Sequence, residues 1–415
     1  AVNLNLVTDS TSSTSGALIV DGGVGIAKKL FVGTDLDVDG AANFAGNVTI
    51  ATGADLLTAT AGTDNVRIGL DAGDSIADGG LRNILIGRNA GTAITTGDSN
   101  VAIGWEALKT EDANGNNVAI GASALATQNA GADGYNVGIG YNAGTAITTG
   151  KRNTLIGGLA GDALTDADYN VAIGTDALGA DTLGSRSIAI GYEALLRQNF
   201  TTATDAYNVA IGFDAGLNVT TGDANTLIGG LAGDAITTGA KNVALGKNSL
   251  GANTAGNKAV AIGTDALATQ NITADGDSFN VAVGYQAGKA ITTGLNNTLI
   301  GSLAGDALTD ADSNIAVGKS ALSSDTLGSK SIAIGQGALF TQNFTTATDS
   351  YNVAIGHEAG VDVTTGYSLT FVGGLAGASN TTGAQCTFIG AEAGNFSITS
   401  DNSTFVGHEA GRGIT

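Results

Sequence analysis

The sequence predicts an all-β fold, a parallel β-solenoid or β-roll of about 20 coils. Three observations carry this: an apolar strand closed by glycine recurs at a near-fixed interval, glycine is abundant without proline, and long segments return almost unchanged. The chain has 415 residues with 65 glycines, no proline and no methionine. Abundant glycine with neither proline nor a three-residue period excludes collagen and points to turns that recur.

The strand is typified by Asn100-Val101-Ala102-Ile103-Gly104, and it recurs from Gly69 to Gly407. Closing glycines are mostly 17 residues apart. From Gly140 the spacing settles to 17, 17, 17 and 21, a 72-residue block, and residues 153–212 return at 297–356. The predicted coil is therefore 17 residues, with a 21-residue coil every fourth. Each such unit buries too little by itself, so stability has to come from stacking.

Each position has a distinct character. The residue before the glycine is Ile, Val or Leu, and the residue three before it is Val, Ile or Thr. β-Branched residues at i and i+2 share one face of a strand. Four before the glycine, fourteen coils carry Asn, which predicts an amide ladder between in-register strands. Three after it, nineteen coils carry Ala and the other carries Ser249, which predicts a corner without spare room.

The residue two before the glycine bears on assembly. It is Ala in most coils, as at Ala102, then Leu155, Leu227 and Leu299, and finally Phe371, Phe388 and Phe405. If the flanking Val and Ile face the coil interior, this middle residue faces away and is still apolar, so both strand faces need cover. The expectation is an intertwined or side-by-side homotrimeric fibre in which these residues form the core or meet another chain. A monomeric solenoid with a mildly apolar face is the alternative.

Residues 1–64 differ. Ala17-Leu18-Ile19-Val20-Asp21-Gly22-Gly23 and Leu30-Phe31-Val32-Gly33 alternate with glycine turns and predict a β-rich neck or connector. Residues 65–415 form the repeat shaft. The chain begins at Ala1 and stops inside a repeat at Gly411-Arg412-Gly413-Ile414-Thr415, so a processed product or a portion of a longer fibre is expected.

The net charge of −21 argues against nucleic acid or anionic lipid as main partner, since phosphate binding needs clustered Lys and Arg. It fits a large, soluble, exposed surface. No apolar run approaches the length of a membrane span, and no signal peptide is visible.

No catalytic, cofactor-binding or metal-binding residues are assigned. His357 and His408 follow closing glycines and read as surface residues, and Cys386 stands in the Asn column as a small buried residue. Asp162, Asp166 and Asp168, repeated as Asp306, Asp310 and Asp312, match no known calcium loop and read as solvated carboxylates. The 21-residue coils are the better binding loops, because aromatics collect there beside amides and hydroxyls. Gln198, Asn199, Phe200 and Tyr207, with Gln342, Asn343, Phe344 and Tyr351, are the residues expected to contact a glycan. Multivalency would raise their avidity. The competing reading tucks Phe200 and Phe344 beneath their own bulge.

The Asn-Val-Ala-Ile-Gly unit followed by alanine resembles the head repeats of trimeric autotransporter adhesins, which are trimeric left-handed parallel β-rolls with shorter coils. Thr11-Ser12-Ser13-Thr14-Ser15-Gly16 through Ile26, with the Asn-Thr-Leu-Ile-Gly repeats, resembles tail fibres of marine tailed bacteriophages. These resemblances imply an extracellular structural fibre, a virion tail-fibre shaft that contributes to host-surface adhesion, joined at its ends to other virion or fibre proteins. A bacterial cell-surface trimeric adhesin or an extracellular filament subunit is the alternative. A fibre-borne glycan depolymerase is less well supported, for want of an acidic pair in a groove. An ice-binding protein is disfavoured because Thr-Thr-Gly recurs in only seven coils, as a turn signature.

Overall fold

The strand, short as it is, becomes ordered only through the coils on either side. In the computed structural model, which describes residues 64–77 and 79–413, the chain forms a β-solenoid. The connector expected over 1–64 lies outside the described residues, apart from Asp64. Three-residue strands, from Val66–Ile68 to Thr404–Val406, make one 20-stranded sheet. All pairings are parallel, and like positions face like: Ala102 lies between Leu85 and Ala119. No helix forms among the described residues.

Backbone hydrogen bonds run between coils on every side. Val101 N–H donates to Asn117 O at 2.8 Å, Gly91 N–H to Ala107 O at 2.9 Å and Thr95 N–H to Asp112 O at 2.7 Å. The closing glycine is obligatory. At Gly229 φ is +137°, and an added Cβ would stand 2.6 Å from the backbone of Gly246 in the next coil. Only glycine accommodates both the dihedral and the approach.

The orientation of the strand differs from the expectation. Ala102, Leu155, Leu227, Leu299, Phe371 and Phe388 are wholly buried within their own chain, and Phe405 packs partly buried against the same core. The middle residue therefore points into the coil, and the flanking Val and Ile point outward. The reason is parity: the buried Asn four before the glycine and the close-packed glycine itself share a strand face with the residue two before. These residues are core, and nothing outside the chain is needed to cover them.

The interior is one side chain wide, so neighbouring coils must share its volume. Leu155 is accompanied by Gly161 and Leu164, and the next coil has Ala172, Leu178 and Asp181. Ala189, Leu195 and Gln198 follow, then Ala210, Gly216 and Val219. The cycle restarts at Leu227 and again at Leu299, which explains the 72-residue block as a cycle of core volume. Where leucine follows the corner alanine it adopts a left-handed backbone, φ 54° at Leu178 and 51° at Leu195. That conformation is strained by about 1–2 kcal/mol per residue, which burial of the leucine offsets. Phe371, Phe388 and Phe405 continue the core as a stack with centroids 4.9 Å apart.

This sharing of volume is testable. An added Cβ at Gly233 would meet Ile236 Cδ1 and Leu227 Cδ2, each at 2.8 Å, at φ +56°, whereas one at Gly158 meets nothing within 4 Å. Gly233→Ala should destabilise by about 1–3 kcal/mol in a denaturant titration. Gly158→Ala should stay within about 0.5 kcal/mol of the parent.

Candidate functional site

The four extra residues of a 21-residue coil are the main departure from the uniform stack. They build a second, two-residue ladder on the preceding coil: Gly184–Ser185 pairs with Thr204–Asp205, Gly256–Asn257 with Gly276–Asp277, and Gly328–Ser329 with Thr348–Asp349. The loop tips, such as Thr201 to Ala203, are exposed.

Beneath each bulge lies a polar cluster that sequence reasoning did not anticipate. Gln198 is fully buried, and its Nε2 donates to Asp181 Oδ2 at 2.6 Å and to Ser187 Oγ at 3.1 Å. Its Oε1 accepts from Asn208 Nδ2 at 2.9 Å. Asp181 Oδ1 also accepts the Gly184 and Phe200 N–H groups, each at 3.0 Å. Asp325, Gln342, Ser331 and Asn352 repeat the arrangement. Gln128 with Glu111 is an earlier version. The signal available in the sequence was a glutamine at one place in every fourth coil, preceded one coil earlier by an acid or amide.

The third block provides an internal control. There Asn253 replaces the acid, and Nε2 of buried Gln270 has no hydrogen-bond partner. The carboxylate thus serves as an acceptor for a glutamine that is otherwise left unmatched. Burial pushes the Asp181 and Asp325 carboxyls above their ordinary value of 3.8, against the pull of their hydrogen bonds.

These facts revise the expected glycan contacts. Gln198 and Gln342 lie in the interior, and Phe200 and Phe344 are only 7% and 6% exposed, tucked under their own bulges. Asn199 and Asn343 accept hydrogen bonds from the Thr182 and Thr326 hydroxyls, at 3.1 Å and 3.0 Å. Of the eight residues, Tyr207 and Tyr351 alone are open, at 57% and 55% exposure. Aromatics were concentrated in these loops because two of them close the bulge from below.

The open tyrosines belong to a surface column five residues before the closing glycine. Tyr135, Arg152, Tyr169, Arg186 and Tyr207 alternate over successive coils, with Arg152 and Arg186 5.0–5.9 Å from the neighbouring ring centroids. Arg186 Nε also pairs with Asp205 at 2.8 Å, and Lys330 with Asp349 at 2.5 Å, clamping the bulge to the coil beneath. Each of these contacts is exposed and contributes modestly.

The remaining polar residues serve the stack. Asn100 N–H donates to Asn83 Oδ1 at 2.9 Å, and Asn100 Nδ2 crosses the coil to Asn114 O at 3.0 Å. Cys386 occupies this column with its thiol directed at Ser400 O, and burial pushes its pKa up. Asp168 accepts the Lys151 N–H at 2.7 Å, and Asp166 the Thr149 hydroxyl at 2.6 Å. Asp306, Asp310 and Asp312 accept likewise from Ser323, Thr293 and Leu295, so all but Asp162 of the acidic triplets are inter-coil acceptors. Among the described residues no group of three His, Cys, Asp or Glu could hold a metal ion, and no helix is long and apolar enough to cross a membrane. The Thr-Thr-Gly turns are likewise bonded to the next coil, as when the Thr237 hydroxyl donates to Thr254 O at 3.0 Å. No protein-family model matches the chain, and no curated protein does.

Asp181→Ala removes an acceptor from three buried donors and should destabilise by about 1–3 kcal/mol, with Asp181→Asn losing less, in equilibrium unfolding. The pH dependence has a definite sign. A carboxyl whose folded pKa is raised holds its proton to higher pH in the fold than in the unfolded chain. Its contribution to stability therefore falls as pH rises from 3.8 through the folded value. The Asp181→Asn, Asp325→Asn double variant should lose less stability than the parent between pH 4 and pH 7, measured by denaturant midpoints.

Proposed function

We propose that this chain is a structural fibre protein without enzymatic activity, the shaft of an extracellular fibre of the tail-fibre type, assembled as a homotrimer and contributing to adhesion at a host surface. The observation that carries the reading is uniformity. Every coil from Val66 to Val406 is bonded to the next in the same register, and buried polar residues such as Asn100, Asp181 and Gln198 are committed to bonding between coils. Stacked at about 4.8 Å, the coils make a rod on the order of 95 Å long. A rod of this kind transmits position and load, and repeated features along it act with multivalency.

A cell-surface adhesin or an extracellular filament subunit would use the same rod. The open Tyr207 and Tyr351, repeated 144 residues apart, suit weak stacking on sugar rings and favour a contribution to adhesion.

Light scattering of the intact particle without denaturant should give three times the chain mass of 40.5 kDa. A mass of one chain would remove the trimeric fibre from consideration. Tyr207→Ala with Tyr351→Ala should leave that mass unchanged and lower retention on host-cell surfaces severalfold. Full retention would confine the chain to a passive shaft.

A further inference from the structure

The two outward columns of the sheet are uncharged along its whole length and apolar except at six threonines, Thr154 to Thr404, in one of them. The residue before each of the closing glycines is Ile, Val or Leu, and the residue three before is Val, Ile or Thr. Neither column contains one charged residue, in a chain with 38 acidic and 17 basic side chains. Yet these side chains face out of the coil, with Leu245 and Ile389 at 42% and 40% exposure. Alternate residues lie about 6.6 Å apart and strands about 4.8 Å apart, so the stripe measures roughly 13 Å by 95 Å, about 1,200 Å². Monomeric proteins seldom leave apolar patches beyond about 300–600 Å² uncovered, and a stable interface takes about 800 Å² from each partner.

We infer that this stripe is covered by the same stripe on further copies of the chain, running parallel and in register about a common axis. The inference rests on the fibre reading and assigns the surface through which that fibre assembles. A second copy is the occupant that fits, for three reasons. Only a partner with the same rise per coil matches a ladder of this length without drifting out of step. Two chains each of net charge −21 approach most easily where carboxylates are missing, and this face is where they are missing. The rims then decide the direction.

One rim, five residues before the glycine, carries Arg82, Arg152, Arg186, Lys241, Lys258 and Lys330 against a single acid, Asp64. Past the other rim, two residues after the glycine, stand nine carboxylates, Asp176, Glu193 and Asp214 among them, and no Lys or Arg. Parallel chains about one axis bring the basic rim of each beside the acidic rim of the next. An antiparallel pair would set like beside like. Arg82, Arg186, Lys258 and Lys330 are already paired with Asp98, Asp205, Asp277 and Asp349 of their own chain, which leaves Arg152 and Lys241 as the cations most available to a neighbour.

The test uses the full chain. Ile173→Glu with Ile228→Glu should reduce the particle from several chains to one by light scattering while the circular dichroism spectrum stays that of the parent. Thr238→Glu, on an exposed turn, should leave the mass unchanged. Because the glutamate variant could also unfold, disulfide trapping gives an independent reading in a Cys386→Ser background. Ile103→Cys and Ile389→Cys, placed near opposite ends, should each cross-link to itself. A parent of several chains that survives the glutamates, or cysteines that cross-link to each other and not to themselves, would overturn the assigned face or its direction and leave the fibre standing. A single-chain parent would overturn both.

Discussion

Everything in this molecule depends on the distance between one coil and the next. Backbone hydrogen bonds fix that distance at every side of the coil, and the closing glycines come so close that no β-carbon fits between them. A coil has almost no structure of its own: its three-residue strands find partners only above and below. The unit of stability is therefore a contact between neighbours. The side chain at each place is chosen against those one coil away.

The core shows how far that choice reaches. A leucine two before the glycine demands glycine after the corner alanine, and an alanine there leaves room for a leucine held in a left-handed backbone. The polar interior follows the same logic. A buried carboxylate in one coil meets a glutamine in the next, and where Asn253 stands instead, Gln270 Nε2 is left without a partner. Such clusters contribute little net stability, but a mismatched neighbour leaves a buried donor unsatisfied.

Fold class, coil length, strand position and the asparagine column were legible in the sequence because each is a strict repeat. The direction of the strand was misjudged by treating β-branched residues as the mark of an inner face. Asn100 and Gly104 held the correcting clue: both share parity with Ala102, and an amide ladder and a glycine approach both belong inside. The bulge residues were misjudged for a related reason. Phe200 beside Gln198 and Asn199 has the composition of a sugar site, and composition cannot tell whether a ring lies over a surface or under a loop. The open residues, Tyr207 and Tyr351, are set apart by their place just before the strand, where the backbone turns left-handed and the side chain is thrown outward.

The four-coil cycle of core volume has a bearing on heredity. A gene segment lost or duplicated in a multiple of 72 residues rejoins a leucine coil to the coil that expects it, and the interior closes without a void or a clash. Other multiples of the coil break that order, as when loss of the coil that carries Gln198 takes from Asp181 its glutamine. The stack can therefore lengthen or shorten in steps of four coils, roughly 19 Å each, with the order of its core intact.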